Sequence, residues 1–379
     1  MTQTKEVNVF STAQNFVATG KLLEAERLLM ELCHDAPELF PPLVMLAQIK
    51  EILRKPTEAL HLYEEAIRLN PGHALPFTRR ALILFRRVYP LKGITKSLQS
   101  SPPLVTMSNL GTNGRFGNQL LQYGCLSLYA RRCGAQVCTP DWIGRDLYGL
   151  LDPFPPSNYL FEDISETVVL EVLAGRIPGR AEVNLSGYFC CDTTPWSSER
   201  EHFLACFKVA PTWSQLVVQW EYALRSKGST LVVLHLRRGD FGAGKNWIAP
   251  SAWYLDWLSA QWSSLENPVL YIATDDSRVI ADFAAYSPIT GNQLQTPILG
   301  ADFFIDHSVM RMADHLLISN STFSATAALL NERGGQCYRP NRVTGQLCAY
   351  DPWASPVLVQ QDLQSTPRQC ENVEELRER

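Results

Sequence analysis

The densest run of reactive side chains follows a short apolar stretch. Thr230 to Phe241 reads TLVVLHLRRGDF and delivers His235, Arg237, Arg238 and Asp240 to its polar end. Consecutive arginines directly after a buried strand are costly to place unless something anionic meets them. A guanidinium offers a planar fork matched to phosphate oxygens, and each charge-assisted hydrogen bond contributes about 1.5–3 kcal/mol. The plainer reading is a solvated basic turn. A second apolar run, PVLYIAT, ends in Asp275 and Asp276. Two carboxylates there suit either a divalent metal or the cap of the next helix, since Asp is a favoured N-cap. In a third stretch, HLLISNSTFSATAALLN, Ser321 and Thr322 open a helix whose first amides are free to meet an anion. Simple capping by the same hydroxyls is compatible with that role.

The glycine-rich GTNGRFGNQLLQY places Gly111, Gly114 and Gly117 between a strand and a helix that opens on Asn118–Gln119. Its spacing is GxxGxxG, not the GxGxxG of dinucleotide sites. Either backbone amides face a ligand here, or the glycines only allow a tight connection. The chain contains no GxSxG, HExxH or P-loop motif, so hydrolase and kinase readings lack support.

These motifs need elements to hold them. Short β-rich runs (LVTMSNL, AQVCT, TLVVLHL, PVLYIAT, HLLIS) alternate with helical stretches such as Asn118 to Arg132. Apolar strands with crossover helices predict open parallel sheets, with ligands at the carboxyl ends of the strands. The first part of the chain has a different grammar. Ala13, Ala47 and Ala81 are 34 residues apart, as are Ala25 and Ala59, and Pro37 and Pro71. This is the period of the tetratricopeptide repeat, a helix–turn–helix unit whose alanines let helices approach and whose proline ends the second helix. A peptide or protein partner in the groove of such repeats is one role; a stabilising appendage is the other. YPLKGITKSLQSSPP reads as a linker.

The whole-chain balance limits the partners. Thirty-four basic against thirty-eight acidic residues give a formal charge of −4, which argues against a nucleic-acid or membrane-surface role. No stretch approaches the roughly 18 apolar residues of a membrane span, and the N-terminus has no apolar signal region. Ten cysteines without a CxxC pair read as reduced thiols. The expected location is the cytoplasm, with any inner-membrane attachment made through a partner.

Taken in order, the GxxGNQ helix, HLRRGD loop, ATDD strand end and SNSTFS helix resemble GDP-fucose-dependent fucosyltransferases, nearest to the bacterial α-1,2 type of glycosyltransferase family 11. The resemblance covers about residues 104–340. It implies an α/β fold with a GT-B-like pair of Rossmann-like domains, preceded here by the all-α repeat region. The expected organisation is therefore 1–88 repeats, 89–103 linker, 104–227 acceptor-side half, 228–360 GDP-sugar-binding half and 361–379 tail.

It further implies inverting transfer of L-fucose from GDP-β-L-fucose to a glycan acceptor, galactose O2 by the nearest type, with no cofactor and no required metal. By the resemblance, Arg237 holds the donor β-phosphate with Arg238 and His235 beside it, and Ser321 and Thr322 face the diphosphate. Asp306 matches a carboxylate that reads the guanine edge, and Asn118 falls near the reacting sugar. Asp240 is the candidate base for the acceptor hydroxyl, or else it orients the arginines. The family pattern usually continues SNSTFSWW, whereas Ala325-Thr326-Ala327 follows Phe323-Ser324 here. Phe241 stands in place of an expected tyrosine. Both departures bear on acceptor choice. Three rival readings stand beside it: a protein O-fucosyltransferase-like enzyme, a metal-dependent transferase using Asp275 and Asp276, and a non-catalytic repeat scaffold with a degenerate transferase domain.

Overall fold

The computed structural model describes residues 2–91, 102–157, 159–242, 247–294 and 298–359. Most of the expected linker and the whole expected tail lie outside these residues. The chain divides into two compact units: Met1–Lys92 with Gly111–Arg115, and Gly93–Leu110 with Phe116–Arg379.

The first unit is helical: α1 (Thr2–Ala18), α2 (Leu22–Asp35), α3 (Phe40–Ile52), α4 (Pro56–Leu69) and α5 (Ala74–Val88). Successive helices pack on one another. Ala13, Ala25, Ala47 and Ala59 are fully buried, whereas Ala81, the last of the 34-residue series, is only partly so. Pro37 and Pro71 fall in the turns after α2 and α4, and a proline opens α4 at its first position, where its missing N–H costs nothing. Buried Lys50 bonds Glu26 at 2.7 Å and Glu58 at 2.5 Å, which satisfies a charge that would otherwise be costly inside. Arg115 belongs to this unit. Its guanidinium donates to the Pro71 carbonyl at 2.7 Å and lies 4.2 Å from the Phe77 ring centre. The helical unit thus takes in Gly111–Arg115, part of the glycine-rich loop.

The second unit carries two sheets. The first has the order β2-β1-β4-β3, all parallel, from β1 (Leu104–Thr106), β2 (Gln136–Cys138), β3 (Glu162–Ser165) and β4 (Val183–Ser186). Helices α6 (Phe116–Cys133), α7 (Gly144–Leu147) and α8 (Glu166–Leu173) connect these strands, and α9 (Arg200–Cys206) and α10 (Pro211–Arg225) follow. The second sheet contains β5 (Thr230–Leu236), β6 (Pro268–Thr274), β7 (His315–Leu317), β8 (Gln336–Asn341) and β9 (Gln346–Ala349). Its order is β6-β5-β7-β8-β9, with only the last pair antiparallel. Helix α11 (Ser251–Gln261) joins β5 to β6, α12 (Phe303–Arg311) leads into β7, and α13 (Thr322–Leu329) leaves it.

β5 and β6 are continuous apolar runs because their sheet is covered on both faces. Both sheets lie within one compact unit. No disulfide links the described cysteines, and no described helix is long and apolar enough to cross a membrane.

Candidate functional site

β5 lies between β6 and β7, with Leu236 level with Thr274 and Leu234 level with Leu317. Three carboxyl ends therefore stand side by side. They carry Asp275, the Arg237–Asp240 loop, and the Ser319–Thr322 turn into α13.

Arg237 is the centre of this edge. Its guanidinium pairs with Asp240 and, at 2.8 Å, with Asp275; it also lies 5.3 Å from the Phe241 ring centre. The other oxygen of Asp275 accepts the backbone N–H of Arg238 at 2.7 Å. A Cβ on Gly239 would come within 2.5 Å of the same carboxylate. Asp275 thus clamps the loop from the neighbouring strand, and the glycine of RRGD is what lets it approach. Two fixed carboxylates fix the guanidinium, leaving its orientation set before any ligand arrives. Each of the two carboxylates is in turn engaged by that guanidinium.

Arg238 turns away from its neighbour. It donates to the Arg237 carbonyl at 3.1 Å and to Ser251 at the start of α11 at 3.4 Å. Asp276, the second acid of the pair, caps the following 3-10 helix and bonds Arg278 at 2.8 and 2.7 Å. The two aspartates have separate duties, loop clamp and helix cap. Among the described residues no three His, Cys, Asp or Glu side chains gather in a metal-holding group.

His235 sits in the interior, 4% exposed, with Nδ1 2.8 Å from the Ser319 hydroxyl and its ring 5.4 Å from Phe323. Burial, then the charges of Arg237 and Arg238, lower its pKa to about 3. It is a neutral strut joining the β5 and β7 ends, not a cation facing an anion. Ser321 caps α13, its hydroxyl accepting the Phe323 N–H at 3.3 Å. Thr322 is the first helical residue and remains partly exposed.

The glycine-rich segment meets this edge at one point. A Cβ on Gly117 would lie 2.5 Å from the Phe323 nitrogen and 2.5 Å from the Thr322 carbonyl carbon. Only glycine lets α6 touch the start of α13 so closely, and that contact ties the two sheets' helices together. Gly111 and Gly114 have φ of 84° and 82°, the left-handed region that favours glycine. Asn118, next to Gly117, accepts from the Cys190 thiol at 3.7 Å.

Asp306 lies apart from the arginine loop, on α12. Its Oδ1 accepts the Tyr271 hydroxyl at 2.5 Å, and Gly291 packs over the pair. Burial raises its pKa to about 6, opposed by the Tyr271 bond and aided by Asp302. Burial here disfavours the charged form of the carboxylate, and the Tyr271 bond only partly offsets it.

The structure therefore brings Arg237, Asp240, Ser321 and Thr322 to one sheet edge, with His235 beneath it. It sets Asn118 beside that edge through Gly117, and places Asp306 separately. Asp275 and Tyr271 were not assigned these roles in sequence. The signal for Tyr271 is faint but present: it carries the one side-chain hydroxyl inside the apolar core of PVLYIA, and a buried hydroxyl seeks a partner.

No family model matches the chain, and no curated protein matches it in sequence. Among solved structures it is similar to the fucosyltransferase NodZ from Bradyrhizobium, at 14% identity and a TM-score of 0.45, over 67% of this chain and 100% of that one. It is also similar to NodZ alpha-1,6-fucosyltransferase soaked with GDP-fucose, at 14% identity and a TM-score of 0.43, over 66% of this chain and 99% of that one.

Proposed function

We propose that this chain is a glycosyltransferase that moves L-fucose from GDP-β-L-fucose to a hydroxyl of a glycan, with inversion at the anomeric carbon. The observation that carries the reading is the pre-oriented guanidinium of Arg237, set beside the start of α13 at the carboxyl ends of adjacent strands. The four ordered motifs point to the same donor.

Breaking the bond from fucose C1 to the diphosphate leaves negative charge on GDP. A cation held in place beforehand stabilises that charge without reorganising, an effect worth roughly 3–4 kcal/mol per donor in acyl-transfer enzymes. Arg237 supplies it, and the α13 amides with Ser321 and Thr322 add neutral donors. Asp240 and Asp275 share the guanidinium at rest and orient it toward the β-phosphate. Asp306 accepts from the guanine edge when ionised. Asn118 lies on the reacting-sugar side. No metal is needed in this scheme, and galactose O2 is the acceptor position that the motifs favour. The N-terminal helices are tetratricopeptide repeats in this reading, open to a protein or peptide partner.

Labelled GDP-fucose and a panel of glycan acceptors, with and without EDTA, test the proposal. Transfer to a galactose-terminated glycan that persists in EDTA is expected. Loss of all turnover in EDTA would instead favour the metal-dependent reading, and no GDP release under any condition would favour the scaffold.

A further inference from the structure

We propose, on the fucosyl-transfer reading above, that Glu166 is the general base that takes the proton from the acceptor hydroxyl, with the acceptor sugar lying beside the exposed ring of Tyr188.

The carboxylates of the arginine edge are committed: Asp240 and Asp275 to Arg237, Asp276 to Arg278. The acceptor must then be activated from the other sheet, at the carboxyl ends of its parallel strands. β3 and β4 are register partners there, Ser165 level with Ser186. Glu166 follows the first strand, and Gly187 and Tyr188 follow the second. One oxygen of Glu166 accepts the Tyr188 N–H at 2.9 Å. A Cβ on Gly187 would stand 2.6 Å from that of Glu166, so the glycine makes room for the carboxylate to lie across the strand end. Oε1 has no hydrogen-bond partner among the described residues, and the side chain is partly exposed. Two further carboxylates of these segments are used elsewhere: Asp163 on β3 accepts from the Asn184 side-chain amide at 2.7 Å, and Asp192 accepts the Thr194 N–H at 2.8 Å. Tyr188 itself is 48% exposed, which leaves an aromatic face for a sugar.

The same segment reaches the donor edge. Cys190 bonds Asn118, and Gly117, the residue before Asn118, lies against the start of α13. Asn118, Gln122 and Cys125 recur at i, i+4 and i+7, so they share one face of α6. Gln122 on that face donates to the Gly187 carbonyl at 3.2 Å. The loop that carries Tyr188 is thereby fixed to the helix that touches the anion-binding turn.

In the step proposed, the acceptor oxygen forms a bond to fucose C1 as its proton passes to Glu166 Oε1. The bond from C1 to the β-phosphate oxygen breaks, and its electron pair leaves with GDP. Glu166 then returns the proton to solvent.

The test uses the full chain, GDP-fucose, and either lactose or water alone as acceptor probe, with GDP release as the readout. Glu166→Gln should lower release at least about 100-fold while GDP affinity by calorimetry stays within about 2-fold and the melting temperature is kept. Sodium azide, which attacks without losing a proton, should restore release about 10-fold or more and yield fucosyl azide. Glu166→Asp, a second variant that keeps the carboxylate, should retain more turnover than the Gln variant. Release by Glu166→Gln within about 10-fold of wild type would overturn the assignment. So would a loss that neither azide nor Glu166→Asp relieves, which marks a positioning role. A wild-type chain that neither binds GDP nor releases it from GDP-fucose would overturn the transferase reading itself, and this assignment with it.

Discussion

Replacing Asp306 by Asn separates the cost of holding a half-buried carboxylate from its use. Burial lifts this group from 3.8 to about 6, and only the Tyr271 hydroxyl works against the rise. Keeping it ionised near neutral pH therefore costs up to about 3 kcal/mol. The sign follows from proton counting. Between about pH 4 and 6 the folded chain holds a proton here that the unfolded chain has released, so stability falls as pH rises through that window. Above about pH 6 the full cost stands.

Asn has nearly the same shape, carries no charge and still accepts the Tyr271 hydroxyl. Asp306→Asn should accordingly raise unfolding free energy by about 2–3 kcal/mol near pH 8 and by little near pH 4, or roughly 4–6 °C in melting temperature at the higher pH. Its GDP affinity should move the other way, falling about 10-fold or more with the loss of a charged acceptor. Wild-type affinity should weaken as pH drops through about 6, where the carboxylate protonates. Denaturant titrations of both proteins across pH, paired with GDP calorimetry, measure each term. A variant less stable than wild type near pH 8, or a stability difference that ignores pH, would show that the Asp306 carboxylate carries no such burial cost.

Three further substitutions test the framework of the site. Gly117→Ala inserts a methyl group where backbone atoms of Thr322 and Phe323 already lie 2.5 Å away, so α6 and α13 must part. The expected cost is about 1–3 kcal/mol or more, read by thermal denaturation, with weaker GDP binding in the same sample. Asp275→Asn keeps an acceptor for the Arg238 N–H but removes one charge from Arg237. Turnover should fall roughly 10- to 100-fold, whereas Asp276→Asn, which alters a cap and an exposed pair with Arg278, should stay near wild type.

Local patterns made much of this fold legible. The buried strands β5 and β6 follow from unbroken apolar runs, and four of the five alanines that recur every 34 residues (Ala13, Ala25, Ala47 and Ala59) are fully buried, Ala81 only partly. The position of Arg237 and Arg238 at the carboxyl end of β5 follows from arginines placed directly after an apolar run. What was hidden depends on neighbours distant in sequence. Asp275 becomes a loop clamp only because β6 lies beside β5, 38 residues apart at the register pair Leu236 and Thr274. Gly117 reads as a turn glycine until α13, some 200 residues on, is seen pressed against it. His235 looks like a ligand beside two arginines, yet the strand buries it behind them and keeps it neutral. Glu166 has no motif at all, since its place is set by the register of β3 on β4.

In the function proposed, Arg237 holds the β-phosphate of a guanosine diphosphate. Calorimetric titration of GDP and GMP into the wild-type chain and Arg237→Ala tests it most directly. Wild type should bind GDP well ahead of GMP. The variant should lose about 100-fold in GDP affinity, change little toward GMP, and release no measurable GDP from GDP-fucose. An Arg237→Ala protein that binds GDP and turns over GDP-fucose within a few-fold of wild type would contradict the claim.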